Sequence, residues 1–356
     1  MPTLGRSLSA KDGIYRAGIV GCGRIGCGFD DDPRRGYVST HAGAYRRTPG
    51  VELVALADLD QAGLERYGGK FGVRSLYNDY RQMLTQEQLD VLSICTWNGT
   101  HLEIVENALN TGVRAIFCEK PIAESLSSAD VMIRRCDEDS VILMVDHQRR
   151  FDRFHQHVAT YLREGRLGKI QQVTCYYTAG VANTGSHLFD LLRFFFGEVE
   201  WVQGIYSKNE SNNQNDPNVD AWLQFDNGVL AAVQACDVRY YTIFEVNIVG
   251  ALGRLRITSH GFDAQFEEIR ESTRFAGYRE LHVAEAPLDP SGHREFMLQA
   301  VAHLLDCLER DQKPLCSGED GRRALEIICA LRESADARGR RIQLPLASSS
   351  IIIESR

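Results

Sequence analysis

Residues 17–26 read Ala-Gly-Ile-Val-Gly-Cys-Gly-Arg-Ile-Gly, so a short apolar run ends in Gly21, Gly23 and Gly26. This is G-x-G-x-x-G directly after a predicted strand, a spacing suited to holding a pyrophosphate. Gly21 permits a tight turn, Gly23 lets the anion approach the backbone, and Gly26 lets the next helix pack closely with its N–H groups toward the charge. The same letters also describe a Gly-rich turn before a buried helix. Their place after a strand near the N-terminus favours dinucleotide binding. Asp58 supplies the complementary chemistry at the end of the second predicted strand. Its carboxylate can accept hydrogen bonds from the adenosine ribose and repel the extra phosphate of NADP. The distance from Gly26 exceeds the usual spacing of about 20 residues, and a loop insertion at 28–39 accounts for the excess. That insertion, with Asp30, Asp31, Asp32, Arg34 and Arg35, reads as a solvated surface loop or a lid near the ligand mouth. Asp60 adds negative charge, and NAD is favoured over NADP.

Such residues need a sheet to position them. Near-continuous apolar runs at 15–20, 51–57, 89–95, 113–118 and 141–145 predict strands buried on both faces, as in a parallel sheet. Helical stretches at 41–47, 61–71, 77–84, 102–110 and 125–137 alternate with them, giving an α/β half. Ligands gather at the carboxyl ends of strands in such sheets. The loop after the 89–95 strand, with Thr96, Asn98 and His101, should therefore flank the nicotinamide half of a cofactor. His101 reads equally as a residue that caps or packs the following helix. The next strand ends in Glu119-Lys120-Pro121, and the last in Asp146-His147-Gln148-Arg149-Arg150-Phe151.

After residue 150 the texture changes. Helices are predicted at 154–164 and 187–196, and strands at 171–177, 200–206, 220–225, 229–235, 241–249 and 253–258. Asp226-Asn227-Gly228 is a hairpin signal between two of them. Consecutive strands without helices imply a large, mostly antiparallel open sheet, whose exposed face calls for a partner. Helices at 295–310 and 318–338 close the chain. The predicted architecture is an N-terminal Rossmann doubly wound parallel sheet over 14–147 and a C-terminal α+β domain over 148–346.

Bulk properties narrow the function classes. The chain has 356 residues, 44% hydrophobic and 25% charged, as expected of a globular protein of two domains. A net charge of −8 gives no electrostatic footprint for nucleic acid. Ten cysteines stand singly without a C-x-x-C pair, so no zinc or redox motif is indicated and no metal is expected. They read as reduced thiols of a cytoplasmic protein. Residues 1–13 lack the apolar core of a secretion signal. No apolar run approaches the ~20 residues that span a bilayer, so no membrane partner is expected.

Taken together, the motifs resemble those of the glucose–fructose oxidoreductase / inositol dehydrogenase / MocA family. The resemblance rests on residues 18–26, Asp58, the loop 96–101, Glu119-Lys120-Pro121, Arg149-Arg150-Phe151, 165–168, Gly185-Ser186-His187-Leu188-Phe189-Asp190 and Gly318-Glu319-Asp320-Gly321. These fall in the family's order over nearly the whole chain. The resemblance implies NAD or NADP, and oxidation or reduction of one hydroxyl/carbonyl carbon of a sugar, cyclitol or nucleotide sugar. It also implies a homodimer or homotetramer formed through the open sheet. A minority of the family uses transient oxidation to cleave a glycosidic bond; a non-catalytic NAD-binding sensor is the third reading.

Carried over by position, Lys120 looks like the catalytic lysine and His187 like its partner in proton transfer. A hydroxyl that loses hydride must also lose its proton, and such a pair can accept it. The blander alternatives are a surface lysine and a histidine that caps or packs a helix. Where the family often has Asp four residues before this histidine, Asn183 stands here, and an amide cannot act as a base though it can hydrogen-bond hydroxyls. Asp190, on the same helix face as His187, is substrate-facing, orienting or structural. Of Arg149 and Arg150, one binds substrate and the other is structural. The expected cofactor residues are thus Gly21, Gly23, Arg24, Ile25, Gly26, Asp58, Thr96, Asn98, His101, Glu119 and Lys120. The expected substrate residues are Lys120, Arg149, Asn183, His187 and Asp190.

Overall fold

A computed structural model describes residues 13–285, 287–288 and 295–354. The chain divides into two units, one of 1–123, 127–151 and 295–321, the other of 124–126, 152–294 and 322–356.

The first unit is built on a six-stranded parallel sheet. In chain order its elements are β1 (Tyr15–Val20), α1 (His41–Arg47), β2 (Val51–Ala57), α2 (Gln61–Phe71), β3 (Ser75–Tyr77), α3 (Tyr80–Gln86), β4 (Val91–Ile94), α4 (His101–Leu109), β5 (Ala115–Cys118), α5 (Leu126–Glu138) and β6 (Ile142–Val145). The strand order is β3-β2-β1-β4-β5-β6, with the direction of winding reversing between β1 and β4. Every residue of β4 and β5 is buried, which is why these strands read as unbroken apolar runs. The helices carry local start signals. Thr40, Asp60 and Asp79 accept N–H groups of the first turns of α1, α2 and α3, and Gly72 ends α2 in the left-handed region at φ 72.

Two expectations are corrected here. The stretch 77–84 is not one helix: Tyr77 closes β3, and α3 starts only after the Asp79 cap. The insertion 28–39 is neither fully solvated nor loose. Asp31 pairs with Arg66 (2.5 Å) and Lys70 (2.6 Å) of α2. Asp30 takes the Ser39 N–H (2.7 Å) and the Thr40 hydroxyl (2.5 Å), which fixes the entry to α1.

Residues 295–321 also belong with this sheet rather than with the second half. The helix Phe296–Arg310 is apolar along one face, and it packs on α1, β5 and β6. Phe296 meets Tyr37 at 5.7 Å, His303 meets Phe151 at 5.8 Å, and Val145 donates its N–H to the Cys316 carbonyl at 3.0 Å. An amphipathic pattern shows that a helix has an apolar face, not which sheet that face will cover.

The second unit contains α6 (Arg153–Arg163), β7 (Ile170–Tyr177), α7 (Gly185–Phe196), β8 (Val199–Tyr206), β9 (Val219–Phe225), β10 (Leu230–Ala235), β11 (Phe244–Gly250), β12 (Gly253–Thr258), β13 (Asp263–Glu271) and β14 (Arg279–Ala284). The chain then runs through α8 (Phe296–Arg310) and α9 (Gly318–Asp336) to the short β15 (Ile342–Gln343). The nine strands pair in the order β14-β13-β12-β11-β7-β10-β9-β8-β15. Only β7 and β10 run parallel. Along β11 burial alternates strictly, so one face is core and the other is open. Ser334 of α9 ties that helix to β8 by accepting the Gly204 N–H at 2.8 Å. Strands β13 and β14 escaped the sequence reading because neither has a fully buried face and β13 is rich in charge; they form by main-chain pairing in register, Phe266 opposite Ala284 through Glu271 opposite Arg279.

Candidate active site

In the first unit the chemistry-bearing residues fall at one edge of the parallel sheet, where β1, β4, β5 and β6 end. Gly21 leaves β1 with φ 94, and a Cβ there would lie 2.7 Å from the Cys95 carbonyl carbon. A Cβ on Gly26 would lie 2.1 Å from the Gly21 carbonyl oxygen. Both positions therefore require glycine for the turn itself. Gly23 is different: a Cβ there would meet nothing within 4 Å. Its missing side chain leaves open space against exposed backbone, the form of a cradle for a pyrophosphate. Ile25 and Gly26 turn their carbonyls to the N–H groups of His41 (3.2 Å) and Ala42 (3.0 Å), so the glycine turn fixes the start of α1. Arg24 is exposed, with its guanidinium 4.8 Å from the Phe29 ring centroid.

Asp58 lies at the end of β2 and reaches back to this turn, taking the Cys22 N–H at 2.5 Å with one oxygen and the Asp60 N–H at 2.9 Å with the other. Asp60 caps α2. After β4, the Thr96 and Thr100 hydroxyls are 2.7 Å apart, and Asn98 donates to the Ala123 carbonyl at 3.2 Å. His101 is fully buried, and its ring nitrogens face the carbonyls of Ile122 (3.0 Å) and Thr96 (3.1 Å). Of the two roles open to it, this geometry favours holding the loop.

Glu119 and Lys120 follow β5, with the Lys120-Pro121 peptide bond cis. The Lys120 side chain is half-buried, while Glu119 is turned inward. There it meets two residues that sequence reasoning missed, His41 at the start of α1 and Asp146 at the end of β6. His41 Nε2 lies 3.2 Å from Glu119 Oε1 and 4.0 Å from Asp146 Oδ2. His41 Nδ1 lies 2.8 Å from the Ser93 hydroxyl, which lies 2.8 Å from the Tyr45 hydroxyl. Donor atoms of His41, Glu119 and Asp146 fall within 4.8 Å of one another. The direct contact of His41 with Glu119 commits these atoms to each other, so the geometry is that of a hydrogen-bonded network. Burial pushes His41 down to about 4. Burial, and then the charge of Glu119, push Asp146 well above the carboxylate range. Burial raises Glu119 too, opposed by the charge of Lys120. Burial and mutual repulsion thus disfavour ionising both carboxyls at once. No spacing in the sequence signals this network, because only the strand order brings 41, 93, 119 and 146 together.

Arg149 and Arg150 are both buried in the turn after β6. Arg150 bonds the Leu315 carbonyl (3.1 Å) and pairs with Asp320 (3.0 Å), a structural role.

In the second unit a π-helical turn, Gly180–Thr184, runs directly into α7. Asp216 holds it open, taking the N–H of Ala182 at 2.7 Å and of Asn183 at 2.8 Å. Asn218 takes the Gly180 N–H at 2.9 Å. Asn183 and His187 are half-buried on this turn and the first turn of α7, and Ser186 donates to the Asn183 carbonyl at 2.8 Å. Asp190 is buried 3.8 Å from Arg193, which also pairs with Glu198 at 2.5 Å. Asp216 is a third residue that sequence reasoning missed; an isolated Asp-Pro pair in a loop gave no signal of its target.

Comparison with known proteins extends the picture. Residues 15–147 match the profile of an oxidoreductase family with an NAD-binding Rossmann fold, and residues 179–344 match that family's C-terminal α/β domain. D-apiose dehydrogenase of Paraburkholderia graminis is 31% identical over 345 residues, covering 90% of this chain and 88% of the relative. Myo-inositol 2-dehydrogenase of Thermotoga maritima is 23% identical, covering 90% of this chain and 96% of the relative. Among solved structures, the WlbA dehydrogenase of Bordetella pertussis, in complex with NADH and UDP-GlcNAcA, superposes with a TM-score of 0.75. Its identity is 24%, covering 94% of this chain and 99% of that one. Among the described residues, no helix is long and apolar enough to cross a membrane.

Proposed function

Because this chain belongs to the glucose–fructose oxidoreductase / inositol dehydrogenase / MocA family of NAD(P)-dependent oxidoreductases, we propose that it acts on one hydroxyl/carbonyl carbon of a sugar, cyclitol or nucleotide sugar. The observation that carries this reading is the placement of Glu119-Lys120-Pro121. This triplet ends β5, two strands from the glycine turn that ends β1, at the carboxyl edge where doubly wound sheets bind ligands. The dehydrogenases of D-apiose and myo-inositol among its relatives support a polyol-like substrate.

The residues present fit a dinucleotide. Gly21 and Gly26 shape the turn, Gly23 leaves room for the pyrophosphate, and Asp58 offers a carboxylate suited to ribose hydroxyls and hostile to an added phosphate, which favours NAD over NADP. The bound nicotinamide supplies the hydride chemistry. Lys120 Nζ and the His187 imidazole are the proposed proton-transfer groups, accepting a proton from the hydroxyl in oxidation and returning it in reduction. Asn183 cannot take a proton, and its role is to hydrogen-bond substrate hydroxyls. Arg149, Asn183 and Asp190 complete the proposed substrate set. Thr96, Asn98, His101, Arg24 and Ile25 complete the cofactor set, His101 acting through the loop it holds.

A second copy of the chain is the proposed partner, in a dimer or tetramer formed through the open face of the large sheet, where Trp222 and Ile205 are exposed. The ten free thiols suit a cytoplasmic setting. The test is to add NAD and a panel of aldoses, cyclitols and nucleotide sugars and to follow absorbance at about 340 nm, where reduced nicotinamide absorbs. Growth of that band with one compound supports the dehydrogenase reading. Substrate consumption without net reduction points to transient oxidation, and binding without consumption points to a sensor.

A further inference from the structure

We propose that Glu119 is a positioning residue for Lys120. In this role a single buried negative charge, kept single by the proton on Asp146 and oriented by neutral His41, anchors the lysine's backbone and sets the proton affinity of its amine. The inference rests on the reading of Lys120 as a proton-transfer group.

Glu119 Oε2 accepts the Lys120 backbone N–H at 3.2 Å, so the carboxylate grips the residue it is meant to serve. Oε1 faces His41 Nε2 at 3.2 Å. A neutral imidazole has one donor and one acceptor. If Nε2 donates to the carboxylate, Nδ1 must accept, so the Ser93 hydroxyl, 2.8 Å away, donates to it. Ser93 Oγ then accepts from the Tyr45 hydroxyl at 2.8 Å. With the charge on Glu119, every donor in this chain points toward it and each buried member is satisfied. The His41 ring is fixed from its face by Phe117, at 4.4 Å between centroids.

Charge follows the same logic. Two adjacent carboxylates, both taken out of water, cannot both stay ionised, and one keeps a proton. Asp146 is 2% exposed and held in place at the end of β6 by its own N–H on the Cys118 carbonyl at 2.8 Å. Among the described residues its Oδ1 has no hydrogen-bond partner, a poor environment for an anion. Glu119, with two donors on its oxygens, is the better place for the charge.

The neighbouring thiols and phenol add no charge. The Cys95 and Cys118 thiols are pushed up by burial and stay neutral, as does the Tyr45 phenol. The helix α8 packs on α1 and β5 but commits His303 to the Leu315 N–H at 2.8 Å. Glu119 is thus a buried anion beside a half-buried lysine, where water screens their interaction less than at an open surface.

Competitive labelling with acetic anhydride, read by mass spectrometry across pH, measures the proton affinity of Lys120 directly and needs neither substrate nor turnover. It therefore separates this inference from the activity reading: a lysine with a shifted midpoint but no role in catalysis would refute that reading alone. Glu119→Gln keeps the shape of the network, since the amide can reverse every hydrogen bond along it. Combined with Asp146→Asn, so that the second carboxyl cannot take up the charge, it is expected to lower the Lys120 midpoint by about one pH unit, a tenfold change in proton affinity. Asp146→Asn, neutral like the protonated acid, should leave the midpoint within a few tenths of a unit. An unchanged midpoint in E119Q/D146N, with circular dichroism showing a folded protein, overturns the role of Glu119. A lowered midpoint in D146N means Asp146 is ionised in the native protein and overturns the single-charge arrangement, whether or not E119Q/D146N folds.

Discussion

His41 Nε2 lies 3.2 Å from Glu119 Oε1, joining the first residue of α1 to the residue that precedes the proposed catalytic lysine. The contact links the helix started by the glycine turn to the carboxyl end of β5. Two parts of the proposed site, the cofactor cradle and Lys120, are thereby braced through one buried ring.

This contact predicts an acid dependence of stability. His41 is held down to about 4, against an ordinary 6.5, so below 6.5 the unfolded chain binds a proton the folded one refuses. Stability from this group is complete above 6.5 and lost as pH falls toward 4. Asp146 has the opposite sign. Raised above its ordinary 3.8, it keeps a proton that the unfolded chain has released, and so loses stability as pH rises through the same window. In the native protein the two slopes oppose. Asp146→Asn removes one of them, so its stability in urea between pH 6.5 and 4 should fall more steeply than the parent's, by about 1.4 kcal/mol per pH unit. Parallel curves for the two proteins would show that Asp146 does not hold a proton.

The second and third glycines of the cradle separate folding from binding. A Cβ at Gly23 meets nothing within 4 Å, so Gly23→Ala should melt as the parent does and bind NADH about tenfold or more weakly by fluorescence titration. Gly26→Ala places a Cβ 2.1 Å from the Gly21 oxygen and should destabilise the protein by about 1–3 kcal/mol. Equal NADH affinity in G23A would remove the pyrophosphate from that position.

In the second unit, Asp216 carries the turn that presents Asn183 and His187. Asp216→Ala leaves the N–H groups of Ala182 and Asn183 without their acceptor, and each bond to a charged group contributes about 1.5–3 kcal/mol. The expected outcome is a Tm lower by several degrees and a reduced kcat, with NADH affinity unchanged. A variant with parent-like kcat and Tm would show that the turn holds itself.

Much of this architecture was legible because local signals and buried runs agree. The limits of β1, α1, β2 and α2 follow from an apolar strand, a capping Thr or Asp, and Gly72. The glycine turn was found from spacing, Asp58 from its place at the end of a predicted strand, and the role of Lys120 from the family resemblance. What stayed hidden depends on pairing across long sequence distance. His41 and Glu119 stand 78 residues apart, and only the order β1-β4-β5-β6 makes them neighbours. The return of 295–321 to the first sheet was hidden for the same reason. Strands β13 and β14 were hidden because strands without a fully buried face carry almost no hydrophobic period.

The central claim is that Lys120 moves a proton at a site built to hold a dinucleotide. Its most direct test compares the parent and Lys120→Met in NADH titration and in NADH formation at about 340 nm, with the same active polyol. The account predicts nearly equal NADH affinity and a fall in kcat of about 10²–10⁴-fold, the usual contribution of a positioned acid–base group. A variant that binds NADH and turns over at the parent's rate would contradict it.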